Sequence, residues 1–220
     1  MSTLAAALKP RKSPVQARSA ATIDALHIAA VQVLTREGLS RCTTTRIAAR
    51  AGISVGSLYQ YYPNRDALLA AVLERHLDGV AGAVDRVCRE HRGKPVLEMA
   101  SALIGAFLAV KLRDPKESKA LYAVAGERGG AALVARMQGR MVEAITAMLE
   151  SAPDARFDDA AVTAAISLNA MVGPVRAFLE GHAPPKFEAG LHAQLVQLLG
   201  AYFQTYALAA PSRNGRRATF

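Results

Sequence analysis

Tryptophan is absent from the 220 residues, and cysteine occurs only as Cys42 and Cys88. Two thiols make no disulfide framework; they fit a reducing compartment, where cysteine behaves as a small apolar residue. Runs of alternating apolar and polar residues are missing, which argues against β-sheet. No apolar stretch of secretory length follows Lys9, Arg11 and Lys12 before Gln16, Arg18 and Asp24, so the chain is expected to be cytoplasmic. Acidic residues are scarce at one end: up to residue 65 there are only Asp24 and Glu37.

That scarcity makes the chain lopsided. Residues 1–65 hold Lys9, Arg11, Lys12, Arg18, Arg36, Arg41, Arg46, Arg50 and Arg65, a net +7 of the formal +9. The stretch 66–210 is close to neutral, and Arg213, Arg216 and Arg217 follow it. A basic head on a neutral body points to a polyanion partner, nucleic acid or an acidic surface. Hydrophobic residues at 51% and charged residues at 20% are the usage of an ordinary globular chain.

Helical periodicity runs almost throughout. Ile23, Leu26, Ala30, Val33 and Leu34 recur at helical spacing up to Gly38, a glycine suited to a left-handed cap. Then comes TTTRIAARAGISVGSLYQYY, residues 43–62, which reads as a short helix, a turn at Gly52 and a second short helix. Thr43 and Ser54 are the expected N-caps. Ile47, Ala48, Ala51, Ile53, Leu58 and Tyr62 are spaced to bury against the preceding helix. Pro63 ends the unit, and Asn64 caps a helix running through Leu68, Leu69, Val72 and Leu77. Breakers at Gly93 to Pro95, Asp114-Pro115, Gly129-Gly130, Pro153 and Gly181 to Pro185 divide the rest into further helices. The fold class expected is all-α: an N-terminal three-helix unit over residues 15–65 and a helical body over 66–210. A basic arm over 1–14 precedes them and a basic tail over 211–220 follows.

Other chemistry finds little support. Gly52-Ile53-Ser54-Val55-Gly56 spells the nucleophile elbow of serine hydrolases, but that elbow needs a strand before the serine and here a helix precedes it. Cys88 and His91 stand one helical turn apart without two further ligands nearby, and the remaining histidines are scattered, so no metal, cofactor or catalytic residue is assigned. Gly126 to Gly130 lacks the flanking strand and the lysine of a phosphate loop. Ala189 to Ser212 carries no formal charge and is long enough to span a bilayer, but His192, Gln194, Gln197 and Gln204 favour a helix buried against protein.

Two helices joined by a glycine turn in a strongly basic head form the pattern of a helix-turn-helix DNA reader, whose second helix enters the major groove. From about Val15 to Leu77 the sequence resembles the DNA-binding domain of TetR-family transcriptional regulators, most specifically in Ile47-Ala48, Ala51-Gly52-Ile53-Ser54 and Gly56-Ser57-Leu58-Tyr59-Gln60-Tyr61-Tyr62-Pro63-Asn64-Arg65. The resemblance implies that Thr43, Thr44, Thr45 and Arg46 open the first helix against DNA, Thr44 towards phosphate and Thr45 near a base edge. It implies that Val55, Gly56 and Tyr61 meet bases, that Ser57, Tyr59 and Gln60 grip backbone with the capping Ser54 counted among the DNA-binding residues, and that Arg65 meets phosphate at a helix start. Val55 departs from a position often polar or basic and offers only an apolar contact. Arg46 stands where an acidic residue would complete a capping box.

The body carries the rest of the expectation. Ala160 to Val175 and Ala189 to Ser212 lack formal charge, and two such helices from each of two chains make an intermolecular four-helix bundle. In the second, Leu191, Leu195, Leu198, Tyr202 and Tyr206 form one stripe, widened by Val196, Leu199 and Phe203. A two-fold homodimer sets its recognition helices about 34–36 Å apart and so matches an inverted-repeat operator. The resemblance also implies a small-molecule effector, taken as apolar, in a pocket for which Phe107, Tyr122, Met137, Met141 and Asn169 are candidates; Asn169 is taken as a buried amide in need of a partner. The function expected is a non-enzymatic, homodimeric repressor that its effector releases from double-stranded DNA. The alternatives are an activator or global DNA-binding protein on the same fold, or a helical enzyme or membrane-surface protein.

Overall fold

The computed structural model describes residues 17–127 and 129–208. The expected basic arm and basic tail, with Lys9, Arg11, Lys12, Arg213, Arg216 and Arg217, lie outside the described residues. Among those described, nine α-helices follow one another: α1 Ala17–Glu37, α2 Thr44–Ala51, α3 Val55–Tyr61, α4 Arg65–Glu90, α5 Val96–Lys111, α6 Pro115–Ala125, α7 Gly130–Leu149, α8 Ala160–Glu180 and α9 Phe187–Gln204. The only strand-like feature among them is an isolated antiparallel bridge between Ala155 and Ala207. The all-α expectation holds.

Helix ends fall where side-chain chemistry puts them. Thr43, Ser54 and Asn64 each accept a hydrogen bond from the amide three residues on, at 3.3, 3.0 and 2.8 Å, satisfying one donor that each helix start leaves free. Asp114 and Asp159 do the same for α6 and α8. Gly52, with φ +71°, takes the left-handed cap after α2 and turns the chain into α3. Every breaker read from the sequence separates two helices. Helix α4 runs through Leu77 to Glu90, stopping just before the breaker at Gly93.

The buried side chains fall into two clusters. The first joins Leu26, Ala29, Ala30, Val33 and Leu34 of α1 to Ile47 and Ala48 of α2, Leu58 of α3, Tyr62, and Ala67 to Leu73 of α4. Ala51 and Ile53, expected in this core, are only half-buried at its edge. The second cluster takes the far half of α4, from Val80 to Cys88, together with α5, α7, α8 and α9. Helix α4 is thus one rigid rod shared by both cores. Helix α6 is shared as well: its Leu121 and Val124 are buried in the first cluster, whereas Tyr122 packs on the second.

Two expectations about the last helices need correction. The inward stripe of α9 is Leu191, Leu195, Leu199 and Phe203, while Leu198 points outward at 51% exposure. The uncharged segment 189–212 is also not one helix, because α9 ends at Gln204 and Ala207 turns back to pair with Ala155. By length and composition the one described helix able to cross a membrane is α8, and its Ala164, Leu168, Met171 and Val175 are instead buried against protein.

Candidate nucleic-acid interface and internal cavity

The short helices α2 and α3 are held from behind and open in front. Ile47, Ala48 and Leu58 have no exposed surface and pin both helices to α1. The opposite face is polar: Thr43, Thr45, Arg46, Ser54, Gly56 and Gln60 are exposed, and Tyr59 is 40% exposed. Thr44 Oγ1 and Tyr59 Oη lie 3.3 Å apart, a hydrogen bond that ties the start of α2 to the middle of α3. Ser54 is fully engaged as a cap, accepting from the Ser57 amide and sharing a 2.8 Å hydrogen bond with the Ser57 hydroxyl. It stands between two helices, so the strand-to-helix elbow of a hydrolase is not built here.

The residues expected to meet DNA therefore share one surface, with differences in how free they are. Val55 and Tyr61 are half-buried and pack partly against the first core, so each offers only part of its side chain. Arg46 is not a free cation, since its guanidinium is paired with Glu37 across the turn at Gly38. Arg65 lies 2.9 Å from Asp66 and 3.8 Å from Glu127, just beyond α6. Arg50, which the motif reading passed over, is exposed and donates to Gln32 on α1 at 2.5 Å.

Behind this face Tyr62 is buried, with its hydroxyl 2.7 Å from His27 Nε2. Burial, then the charge of Arg75, pushes the His27 imidazole down to about 4, and burial pushes the Tyr62 phenol up to about 12. Both groups are neutral at pH 7 and make a fixed polar link between α1 and the end of α3.

A cavity of about 380 Å³ lies among α4, α5, α6, α7 and α8. Phe107, Tyr122 and Met141 line it, as expected. Met137 is buried in the second core but off the cavity wall. Asn169 corrects the expectation of a buried amide: it is exposed on the outer face of α8 and donates to the Ala165 carbonyl at 2.8 Å. Helical geometry explains this, because Leu168 and Met171 take the inward side of the same turn.

The cavity is also less apolar than expected. Lys111 reaches into it at 6% exposure with Nζ 4.4 Å from the centre of the Tyr122 ring. The Arg176 guanidinium stands 5.5 Å from the same ring and is bonded to Glu180 at 2.8 Å. Burial alone brings the Lys111 ammonium down to about 8. Sequence reasoning missed Lys111 because a lysine closing an apolar helix reads as a partner of the helix dipole at the surface. A larger cleft of about 980 Å³ between α1, α4 and α5 is bordered by Arg75, Arg86, Glu90 and Arg113 and has the character of a charged surface groove. Among the described residues no group of three or more His, Cys, Asp or Glu side chains is placed to hold a metal ion.

Comparison with known proteins agrees with this architecture. The sequence model described as "Bacterial regulatory proteins, tetR family" matches residues 28–72, and that of "Tetracyclin repressor-like, C-terminal domain" matches residues 95–203. Nucleoid occlusion factor SlmA of Vibrio vulnificus is 28% identical over 79 residues, 36% of this chain and 39% of that protein. The chain therefore matches about two fifths of that relative's length. A protein of Mesorhizobium loti assigned to the TetR-family transcriptional regulators superposes with a TM-score of 0.73 at 16% identity, over 88% of this chain and 100% of the other. The transcriptional regulator FadR of Bacillus subtilis, in complex with stearoyl-CoA, gives 0.66 at 14% identity, over 80% and 96%. At such identities these structures speak for the fold alone. With both halves matched by the family's sequence models and the capped α2–α3 unit in place, the chain belongs to the tetR family of bacterial regulatory proteins.

Proposed function

We propose that this TetR-family regulator is a homodimeric repressor that leaves an inverted-repeat operator when a small molecule occupies the cavity among α4 to α8. The observation that carries this reading is the double role of α6. Leu121 and Val124 sit in the core beneath the α2–α3 face, while Ser118 and Tyr122 line the cavity. A ligand that pushes on Tyr122 therefore acts on a helix that is part of the DNA-binding unit. Arg65, offered to phosphate, stands 3.8 Å from Glu127 just past the end of α6. Such a ligand shifts the dimer towards one head spacing only as far as it binds that state better.

The dimer reading is supported by the outward sides of α8 and α9. Val162 and Ile166 are 52% and 50% exposed one turn apart, and Leu198 stands out on α9. Gly173 on α8 and Ala201 on α9 are exposed small residues that let helices approach closely. A second copy on this face makes a two-fold pair. A role on DNA puts the protein in the cytoplasm, and FadR with its stearoyl-CoA is a precedent for a ligand within this fold.

The test is selection of bound sequences from a random duplex library by the purified protein. An enriched inverted repeat with half-sites about one helical turn apart supports the dimeric reader, and a reporter carrying that site fixes the sign of regulation. Enrichment of nothing, with weak salt-sensitive binding alone, would reduce the face to a general polyanion contact.

A further inference from the structure

We propose that the cavity among α4 to α8 takes a small amphiphilic monoanion, an apolar body ending in a carboxylate, whose charge is met by Lys111. This names the class of the effector and so rests on the preceding reading of that cavity as the effector site.

Three observations lead there. The first is an unmatched charge. Lys111 is nearly sealed from solvent, and among the described residues no carboxylate lies within ion-pair distance of its ammonium. Its ammonium stands over the face of the Tyr122 ring, and its charge is felt by His76 on the same cavity wall. The downward shift of its pKa has burial as its only cause, as a lysine without a nearby carboxylate must show. An ammonium held mostly out of water with no carboxylate beside it is costly, and an apolar residue of the same length would fill the space at no such cost. An anion arriving from outside completes the pair.

The second observation fixes the amount of charge. Arg176, the other cation beside Tyr122, is already neutralised by Glu180 at 2.8 Å. One positive charge is left for the occupant, which suits a carboxylate better than a phosphate dianion. His76 lines the same wall and keeps Nε2 buried without a hydrogen-bond partner, its Nδ1 facing Glu117 at 3.5 Å.

The third observation is the remaining wall. Leu73, Leu77, Val80, Phe107, Met141 and Val172 make most of it apolar, with Ser118 and Gln138 as its further polar side chains. About 380 Å³ is at the small end of ligand pockets, roughly 300–1,000 Å³, and a nucleotide-bearing coenzyme does not fit within it.

The experiment uses the full chain, with octanoate, decanoate and 4-phenylbutyrate as probes below their micellar concentrations, each beside its primary alcohol. Thermal unfolding and calorimetric titration are read for wild type, Lys111→Met and Lys111→Arg. At least one carboxylate is expected to bind wild type about tenfold or more tightly than its alcohol, the gain of one charge-assisted hydrogen bond. Lys111→Met is expected to lose that preference while still binding the alcohol, and Lys111→Arg to keep part of it. Equal binding of acid and alcohol to wild type, absence of binding by any probe, or a preference surviving in Lys111→Met would overturn the proposal. The wild-type comparison stands whether or not the variants fold. Binding of the selected duplex by ligand-free protein is measured alongside. Retained duplex binding without an acid preference defeats this inference alone, whereas an acid preference without duplex binding defeats the regulator reading and leaves the anion site standing.

Discussion

The head and the body of this protein are both helical, yet they hold their functional groups in opposite ways. In the head, α2 and α3 are short helices of 8 and 7 residues whose caps, Thr43, Gly52 and Ser54, lie within a dozen residues of one another. The polar face points outward because Ile47, Ala48 and Leu58 point inward. In the body, the groups around the cavity come from five helices spread between Leu73 and Arg176, and no local pattern brings them together. A surface made by neighbours in sequence is a feature of one segment; a cavity made by distant helices is a feature of the whole packing.

The comparison is most easily broken at the body's core. Phe203 has no exposed surface and packs edge-on against Phe157 at 6.0 Å. Phe203→Ala is expected to cost about 3–5 kcal/mol of folding stability, read from urea unfolding. If the two cores unfold as one through the shared rod α4, head and body lose structure together; if the head keeps its signal, the cores are separable.

Lys111 gives the next effect, and in the opposite direction. Burial brings its ammonium down to about 8, below the usual lysine value of 10.5. Between those values the unfolded chain binds more protons, so stability rises with pH through that window and the burial penalty is full below it. Lys111→Met is therefore expected to stabilise the empty protein at pH 7, by up to about 3 kcal/mol, and to abolish the rise above pH 8. A destabilised variant would mean that the lysine is held for packing and not for a ligand.

In the head, Gly52→Ala forces a side chain into a left-handed backbone at φ +71°. The expected cost is about 1–2 kcal/mol in denaturant unfolding, with weaker duplex binding because α3 is re-aimed. The smallest effect is expected from Arg65→Ala, which should weaken binding to all sequences alike and lower the slope of log K against log salt by about one. A change of sequence preference in that variant would move Arg65 from phosphate to base.

The sequence made the head legible because its determinants are local. Caps, the glycine turn and the buried set of α2 and α3 follow from residues a few positions apart, and the structure differs only in leaving Ala51 and Ile53 at the margin. Arg46 was less legible, since its partner Glu37 lies on the preceding helix and meets it only after the chain turns at Gly38. In the body, helix positions were readable from breakers, but facing was not. Asn169 and Leu198 turn outward and Lys111 inward, because helices α8, α9 and α5 are apolar on more than one side. Composition cannot say which side of such a helix meets its own chain, a cavity or another copy.

The central claim is that one face, made by α2, α3 and the start of α4, meets DNA. Hydrogen exchange of the full chain with and without the selected duplex tests it directly. The account predicts slowed exchange over residues 43–61 and at the first turn of α4, with α8 and α9 unchanged between the two states. Protection confined to the body, or absent from residues 43–61, would contradict it.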